Sequence, residues 1–330
     1  MQNIADYRVM LGGKDLTDAI RPRLVSLTLT DKRNGEADQL DIVIDDGDGT
    51  VAIPPAGVTL HLHLGWRQGN DVTVGLIDKG SYIVDEVEHS GPPDQITIRA
   101  RSADMTSAIR TRREKSWHGT TLGAIVADVA RRNRLTPRCA PALAAIVIPA
   151  LAQSRESDMA LLRRLGRQHD AVATVKRGTL IFADIGAGTT ASGAALPAVT
   201  IRRSQGDRHS YRVEKRDEGA GVSASWHDRK AAKKKTVTVG GTDKPKALAK
   251  VHGSEAAAKK AAAAEYGRTQ RAARKLSFDL ALGRPDIYPE QRLKAVGFKS
   301  AIDAIPWLIA EVTHSLNERG FVTSLQMEAP

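Results

Sequence analysis

The sequence predicts a mainly β protein with an α+β insert, in which two antiparallel β-barrel domains, residues 1–110 and 200–330, flank a small α+β domain, residues 111–199. Three observations carry this prediction. Apolar and polar residues alternate through the first third and again in the last. The middle changes to the three-and-four spacing of amphipathic helices. Two segments of the outer thirds repeat one another in the same order. A chain of 330 residues suits two or three domains, and 41% hydrophobic residues are enough to bury their cores, which excludes a largely disordered protein. With only 4% aromatics, those cores must be aliphatic.

In the first third, Leu40, Ile42 and Ile44 alternate with Asp41, Val43 and Asp45, Leu60, Leu62 and Leu64 with His61 and His63, and Ile96 and Ile98 with Thr97 and Arg99. Asn34-Gly35, between Leu24–Thr30 and Gln39–Asp45, then Asp46-Gly47-Asp48-Gly49, Pro54-Pro55 and Pro92-Pro93 supply the turns of an antiparallel sheet. In the middle, Leu122, Ile125, Val126, Val129 and Ala130 form the stripe of a helix over about 121–134, with Thr120 or Thr121 as its cap. Ser157 caps a second helix with Asp158 in its first turn and Leu161, Leu162 and Leu165 as its buried stripe. Val172–Val175 and Thr179–Phe182 read as a hairpin turning at Lys176-Arg177-Gly178, and Gly188–Gly193 as a linker. In the last third, Ser254 starts a helix running from Glu255 towards Arg274, built from Ala, Lys, Glu and Arg with Gly267 as its weak point. It has no Leu or Ile heptad for a coiled coil.

The repeat aligns Tyr82-Ile83-Val84-Asp85-Glu86-Val87-Glu88-His89-Ser90 with Trp307-Leu308-Ile309-Ala310-Glu311-Val312-Thr313-His314-Ser315. Each segment is followed by a turn and a strand, Gln95–Arg101 or Phe321–Met327. Each is preceded by a proline and a strand ending in Gly-aromatic, Gly65-Trp66 or Gly297-Phe298. Three matches in one order indicate a duplicated barrel.

The net charge of +11 is unevenly placed: −6 over residues 1–110, +7 over 111–199 and +10 over 200–330. Such polarity suits stacking against protein surfaces as well as binding a polyanion. Lys230 and Lys233–Lys235, followed by Lys244, Lys246 and Lys250, read as a solvated strand edge, because no aromatic is interleaved to stack bases. Cys139 is alone, which excludes an internal disulfide and a cysteine metal cluster and suits a reducing compartment. The N-terminus is charged where a signal peptide would be apolar, and the longest apolar stretch, Ala140–Ala152, is broken by Pro141 and Pro149. No membrane anchor is expected.

The candidate chemical sites read as structural. His61 and His63 share a strand face but have no third ligand nearby in sequence. Asp46-x-Asp48-Gly49 lacks the rest of a calcium loop. His89 and His314 occupy equivalent repeat positions, where a turn-stabilising hydrogen bond would naturally occur twice. Gln153–Asp158 offers carboxylates for glycoside cleavage, but helix capping accounts for the same residues. Nucleophile-elbow, Walker, zinc-protease and dinucleotide motifs are missing.

Three stretches resemble the late control protein D family of contractile-tailed phages: Trp117-His118-Gly119-Thr120-Thr121-Leu122-Gly123-Ala124-Ile125-Val126, then Gln153-Ser154-x-Glu156-Ser157-Asp158-x-x-Leu161-Leu162-x-Arg164-Leu165, then Gly178-x-Leu180-Ile181-Phe182. The resemblance implies a structural baseplate hub with no enzymatic activity, no cofactor and no metal. It implies a homotrimer whose two tube-like barrels per chain make a pseudo-sixfold ring, joining the hexameric tail tube protein to the trimeric central spike protein. Other baseplate proteins and the tape measure protein are further candidate partners, and nucleic acid enters only as cargo in the channel of a phage. The location implied is the baseplate of a virion or tailocin, assembled in the bacterial host cytoplasm. Phage, tailocin and secretion device stay open at this point, as do two rival readings: a nucleic-acid-binding protein using the basic last third and a cell-wall hydrolase using the middle domain. For a ring that meets a tube, charged hairpin loops are the expected docking elements. Two are candidates: Asp31, Lys32, Arg33, Asn34, Glu36 and Asp38 in the first barrel, and Arg216, Asp217 and Glu218 in the second.

Overall fold

The computed structural model describes residues 2–33, 38–103, 107–189, 194–214, 221–228 and 231–330. The first barrel is built from β1 (Ile4–Leu11), β2 (Lys14–Asp15), β3 (Leu24–Lys32), β4 (Gln39–Asp45), β5 (Thr59–Gln68), β6 (Gly75–Ser90) and β7 (Gln95–Ser102). Its strands lie in the order β3-β4-β7-β6-β5-β1, every neighbour antiparallel. The alternation in the sequence sets the faces, so that Leu27, Leu29, Leu40, Ile42, Leu60 and Leu62 all turn into one aliphatic core. A short helical turn, Thr17–Ile20, lies between β2 and β3 and adds Ile20 to that core.

The middle domain begins with β8 (Arg112–Thr121), followed by a helix at Leu122–Arg132, β9 (Thr136–Cys139) and β10 (Val147–Ser157). A second helix, Asp158–His169, leads to the hairpin of β11 (Ala171–Lys176) and β12 (Thr179–Asp184). Both helices start where the capping residues predict: the Thr121 hydroxyl accepts from the Ala124 N–H, and the Ser157 hydroxyl from that of Ala160. Their apolar stripes meet the β11-β12-β9 sheet around Phe182 and Leu180. β8 and β10 form a separate antiparallel ribbon.

The second barrel contains β13 (Val199–Arg202), β14 (Gly206–Val213), an inserted unit with β15 (Val222–Asp228), β16 (Lys233–Val239) and β17 (Lys246–His252), then β18 (Arg274–Leu280), β19 (Arg292–Val296), β20 (Pro306–Asn317) and β21 (Gly320–Glu328). Its order, β14-β18-β21-β20-β19-β13, repeats that of the first barrel strand for strand. The repeat extends to register. Glu86 faces Arg99 and Glu311 faces Gln326, and each strand carries a one-residue bulge just before its Glu, at Asp85 or Ala310. β3 bulges at Val25 and β14 at Asp207, also equivalent places. One pairing differs: β1 runs antiparallel to β5, whereas β13 is parallel to β19. The core here is more aromatic, with Trp307 and Phe278 fully buried.

The insertion corrects one expectation. Arg216–Gly221 was expected to be a hairpin loop between two long strands of the second barrel, but β14 pairs with β18, far along the chain, while β15 pairs with β16 and β17. The inserted sheet packs against the helix Glu255–Ala273, where Ala258 and Ala262 are fully buried, because only a methyl side chain lets helix and sheet approach so closely. This unit stands where the first barrel has its short β3–β4 loop.

Candidate assembly interface

The two barrels are one sheet. β20 pairs antiparallel with β3 over seven residue pairs, from Glu311 opposite Lys32 to Asn317 opposite Ser26. Inward-facing Leu27 and Leu29 from β3 lie opposite buried Leu316 and His314 from β20, and on the opposite face the Thr30 and Thr313 hydroxyls lie 3.5 Å apart. Around this seam the cores interlock. Leu316 and Phe321 of the second barrel join the first core, and the Trp66 indole N–H donates to the Gly283 carbonyl at 2.8 Å. Gly283 is required there, because a Cβ would lie 2.4 Å from the Phe321 ring.

Beside the seam, an ionic junction ties all three domains together. Lys176, at the end of β11, puts its ammonium 2.8 Å from Asp31 Oδ1 and in contact with Asp38. Arg33 pairs with Glu328 at 2.5 Å and with Glu290 at 3.3 Å, and Glu328 also meets Arg271 at 3.4 Å, which in turn pairs with Asp170 of the middle domain. Burial raises the Asp38 carboxyl to about 7, helped by the adjacent Asp31 charge and opposed by Lys176. Asp31 is equally buried, but Lys176 and Lys79 hold it below the usual carboxylate range. Burial lowers Lys79 to about 8; its ammonium donates to the Pro285 carbonyl at 3.0 Å and sits 3.9 Å from the centre of the Tyr288 ring. Asp31, Arg33, Asp38, Lys79, Lys176 and Glu290 line a cavity of about 580 Å³.

This placement bears on the loop residues proposed from sequence. Asp31, Arg33 and Asp38 are buried and committed inside the chain rather than exposed at a hairpin tip, because the middle and second domains close over the loop's base. Lys32 is partly exposed, 3.8 Å from Glu311. Asn34, Glu36, Arg216, Asp217 and Glu218 lie outside the described residues.

The remaining candidates resolve as follows. His61 and His63 gain a neighbour from the next strand: ligand atoms of His61, His63 and Asp78 lie within 4.8 Å of one another, since β5 and β6 place His63 opposite Asp78. Sequence distance concealed this third group. Ser81 holds His61 Nδ1 at 2.8 Å, and Arg177 approaches the second Asp78 oxygen at 3.7 Å. Asp48 binds Arg23 and Thr50, and Asp46 accepts the Val51 N–H, as a polar turn does. His89 lies 3.3 Å from Asp46, but His314 bonds Thr323 at 2.9 Å, so the expected shared hydrogen bond is two different contacts. Asp158 is fully buried beneath Arg132, Asn133 and Gln153, and Glu156 pairs with Arg164; both carboxylates serve the middle domain's packing. β16 is an edge strand as its lysines suggest, with Lys235 paired to Asp228 and placed over Trp226, an aromatic supplied by the neighbouring strand. No helix among the described residues is long and apolar enough to cross a membrane.

Two barrels of one strand order are thus fused edge to edge and braced by a third domain. The chain belongs to the phage tail baseplate hub (GPD) family, whose sequence profile matches residues 44–320. It is 43% identical to the "Probable baseplate hub protein" of Escherichia phage P2, across 98% of this chain and 92% of that one. Among solved structures, the 43 kDa tail protein of prophage MuSo2 from Shewanella oneidensis shares the fold with a TM-score of 0.72 at 14% identity, over 99% of this chain and 98% of that one. The E. coli type VI secretion component c3393 matches with a TM-score of 0.55 at 12% identity, covering 93% and 74%. The protein is thus a baseplate hub of a phage tail or related injection system, in a family of structural proteins.

Proposed function

We propose that this hub is a trimeric symmetry adaptor, in which three chains present six similar barrels to a sixfold tail tube and a threefold face to the central spike. The duplication of the barrel, in strand order, register and bulge position, is the observation that carries this reading, because three copies of a two-barrel chain offer six near-equivalent surfaces. Its partners are the tail tube protein, the spike protein and a second and third copy of itself, and nucleic acid passes only as cargo. The particle, phage or tailocin, assembles in the host cytoplasm. The β3–β4 loop is the tube-docking element of the first barrel, its base fixed by Lys176 and Arg33 and its contacts made by Lys32 and the tip. Light scattering on the chain, alone and mixed with its spike, is expected to give a trimer in at least the second case; a stable dimer in both refutes the adaptor.

A further inference from the structure

β5 and β6 carry a side-chain cluster that the barrel core does not use. His61 and His63 share the face of β5 opposite to that of buried Leu60, Leu62 and Leu64. Across the strand pair, Ser81 lies opposite His61 and Asp78 opposite His63. The second pairing depends on a bulge. Regular alternation would set Lys79 beside His63, but the register shifts by one residue between Leu62 and His63, and Lys79 reaches instead to the Pro285 carbonyl at 3.0 Å. Gly80, at a φ of 99°, takes the left-handed conformation that this shift requires, and its N–H donates to Asp78 Oδ1 at 2.7 Å.

Three donor groups converge there, one ligand atom each from His61, His63 and Asp78, all within 4.8 Å of one another. His61 is held on both sides, with Nδ1 2.8 Å from the Ser81 hydroxyl and Nε2 3.1 Å from Asp78 Oδ1. Between Nε2 and that carboxylate oxygen something positive must stand: the imidazole's own proton, or a metal ion that takes both as ligands while Nδ1–H donates to Ser81. Their 3.1 Å separation is close to the roughly 3.3 Å edge of a tetrahedron with metal–ligand bonds of about 2.0–2.1 Å. His63 favours the metal. Its Nδ1 is buried without a hydrogen-bond partner, so the ring gives up no bond of that atom by turning towards an ion. His61 and Asp78 keep 34% and 43% of their side chains in solvent, which leaves an ion a way in.

We infer that His61, His63 and Asp78 form a binding site for one divalent transition-metal ion of the zinc class, with water completing the coordination. Two imidazoles and a carboxylate are a donor set for Zn²⁺ and its neighbours in the series, whereas Mg²⁺ and Ca²⁺ call for oxygen ligands. Ser81 is the partner that orients His61 from behind. Two cations stand nearby, and both have carboxylates beside them: Arg8, opposite His63 on β1, lies 3.6 Å from Asp15, and Arg177 lies 3.7 Å from Asp78 Oδ2. The ion's role is structural. It ties β5 to β6 across the bulge, and because Arg177 also donates to the Asp78 carbonyl at 3.3 Å, it steadies the point where the β11–β12 turn rests on the first barrel.

The test titrates the untagged full-length chain, stripped with EDTA and returned to metal-free buffer at about pH 7.5, with zinc chloride in a calorimeter. One Zn²⁺ per chain is expected, unaffected by excess Mg²⁺. His61→Gln, His63→Gln and Asp78→Asn should each weaken binding about tenfold or more, the loss that even changes behind the ligands bring. His118→Gln combined with His227→Gln, at two exposed histidines of the other domains, should leave it unchanged. No binding, or binding that the three variants do not each weaken, overturns the site and leaves the His61 proton as the bridge to Asp78. If a variant does not fold, the wild-type chain decides. Zinc should slow diethyl pyrocarbonate modification of His61 and His63 severalfold, read by peptide mass spectrometry, and leave His118 at its own rate. Equal rates with and without zinc at all three overturn the proposal.

Discussion

Replacing Lys176 by methionine tests the ionic junction most directly. The side chain keeps its stem and loses the ammonium, which stands between two carboxylates whose residues are 7% exposed. Removing one partner of a buried pair costs about 3–5 kcal/mol, and the lower end applies here because 32% of the lysine side chain reaches solvent. The loss should also depend on pH. Asp38 titrates near 7 in the folded protein, against an ordinary 3.8, so the folded state holds a proton that the unfolded chain has released between those values. A carboxyl raised in this way contributes stability that is full below its unfolded value and lost as pH rises to its folded value. Without Lys176 the Asp38 carboxyl rises further, at about 1.4 kcal/mol per unit, and the variant goes on losing stability above pH 7, where the wild type has levelled off. The expected cost is about 3 kcal/mol at pH 8 and about half that at pH 5.5, where Asp38 is protonated in both proteins and only Asp31 loses its partner. Urea unfolding followed by tryptophan fluorescence at the two pH values measures it. A loss below about 1 kcal/mol at pH 8, or an equal loss at both, would refute the account of the junction.

Two further outcomes follow from packing and docking. Ala262→Leu forces three extra carbons between the inserted helix and its sheet, so hydrogen exchange in residues 222–273 should speed up by an amount matching about 1–3 kcal/mol, with the barrels unaffected. Replacing residues 34–37 by an Asn-Gly turn should leave trimer formation and spike binding intact while abolishing attachment of the tail tube; normal tube assembly on that variant would place docking elsewhere.

Much of the fold was legible because its signals are local. Leu40, Ile42 and Ile44 are core residues for the reason the alternation gives, and Thr121, Ser157 and Ser254 cap their helices through their own hydroxyls. The β8–β10 ribbon was hidden, because it is largely exposed and Pro149 interrupts its apolar run. The insertion was hidden for another reason: a charged, glycine-containing stretch of sequence after β14 reads the same whether the next strand returns to pair with it or starts a new unit. The junction was the least legible part. Asp31, Arg33 and Asp38 sit in a charged, glycine-containing loop that any local rule assigns to solvent, and what buries them, Lys176, Glu290 and Glu328, lies far along the chain.

The covalent fusion of the two barrels changes the thermodynamics of the β3·β20 seam. Between separate molecules such a strand pairing would bear the loss of translational and rotational freedom, about 4–15 kcal/mol, and would dissolve on dilution. Within one chain only the entropy of loop closure opposes it, which grows slowly with loop length and not at all with scarcity of the protein. The contact therefore forms on folding, at a single molecule per cell as readily as at a thousand, and the hub begins assembly with this strand pairing already made.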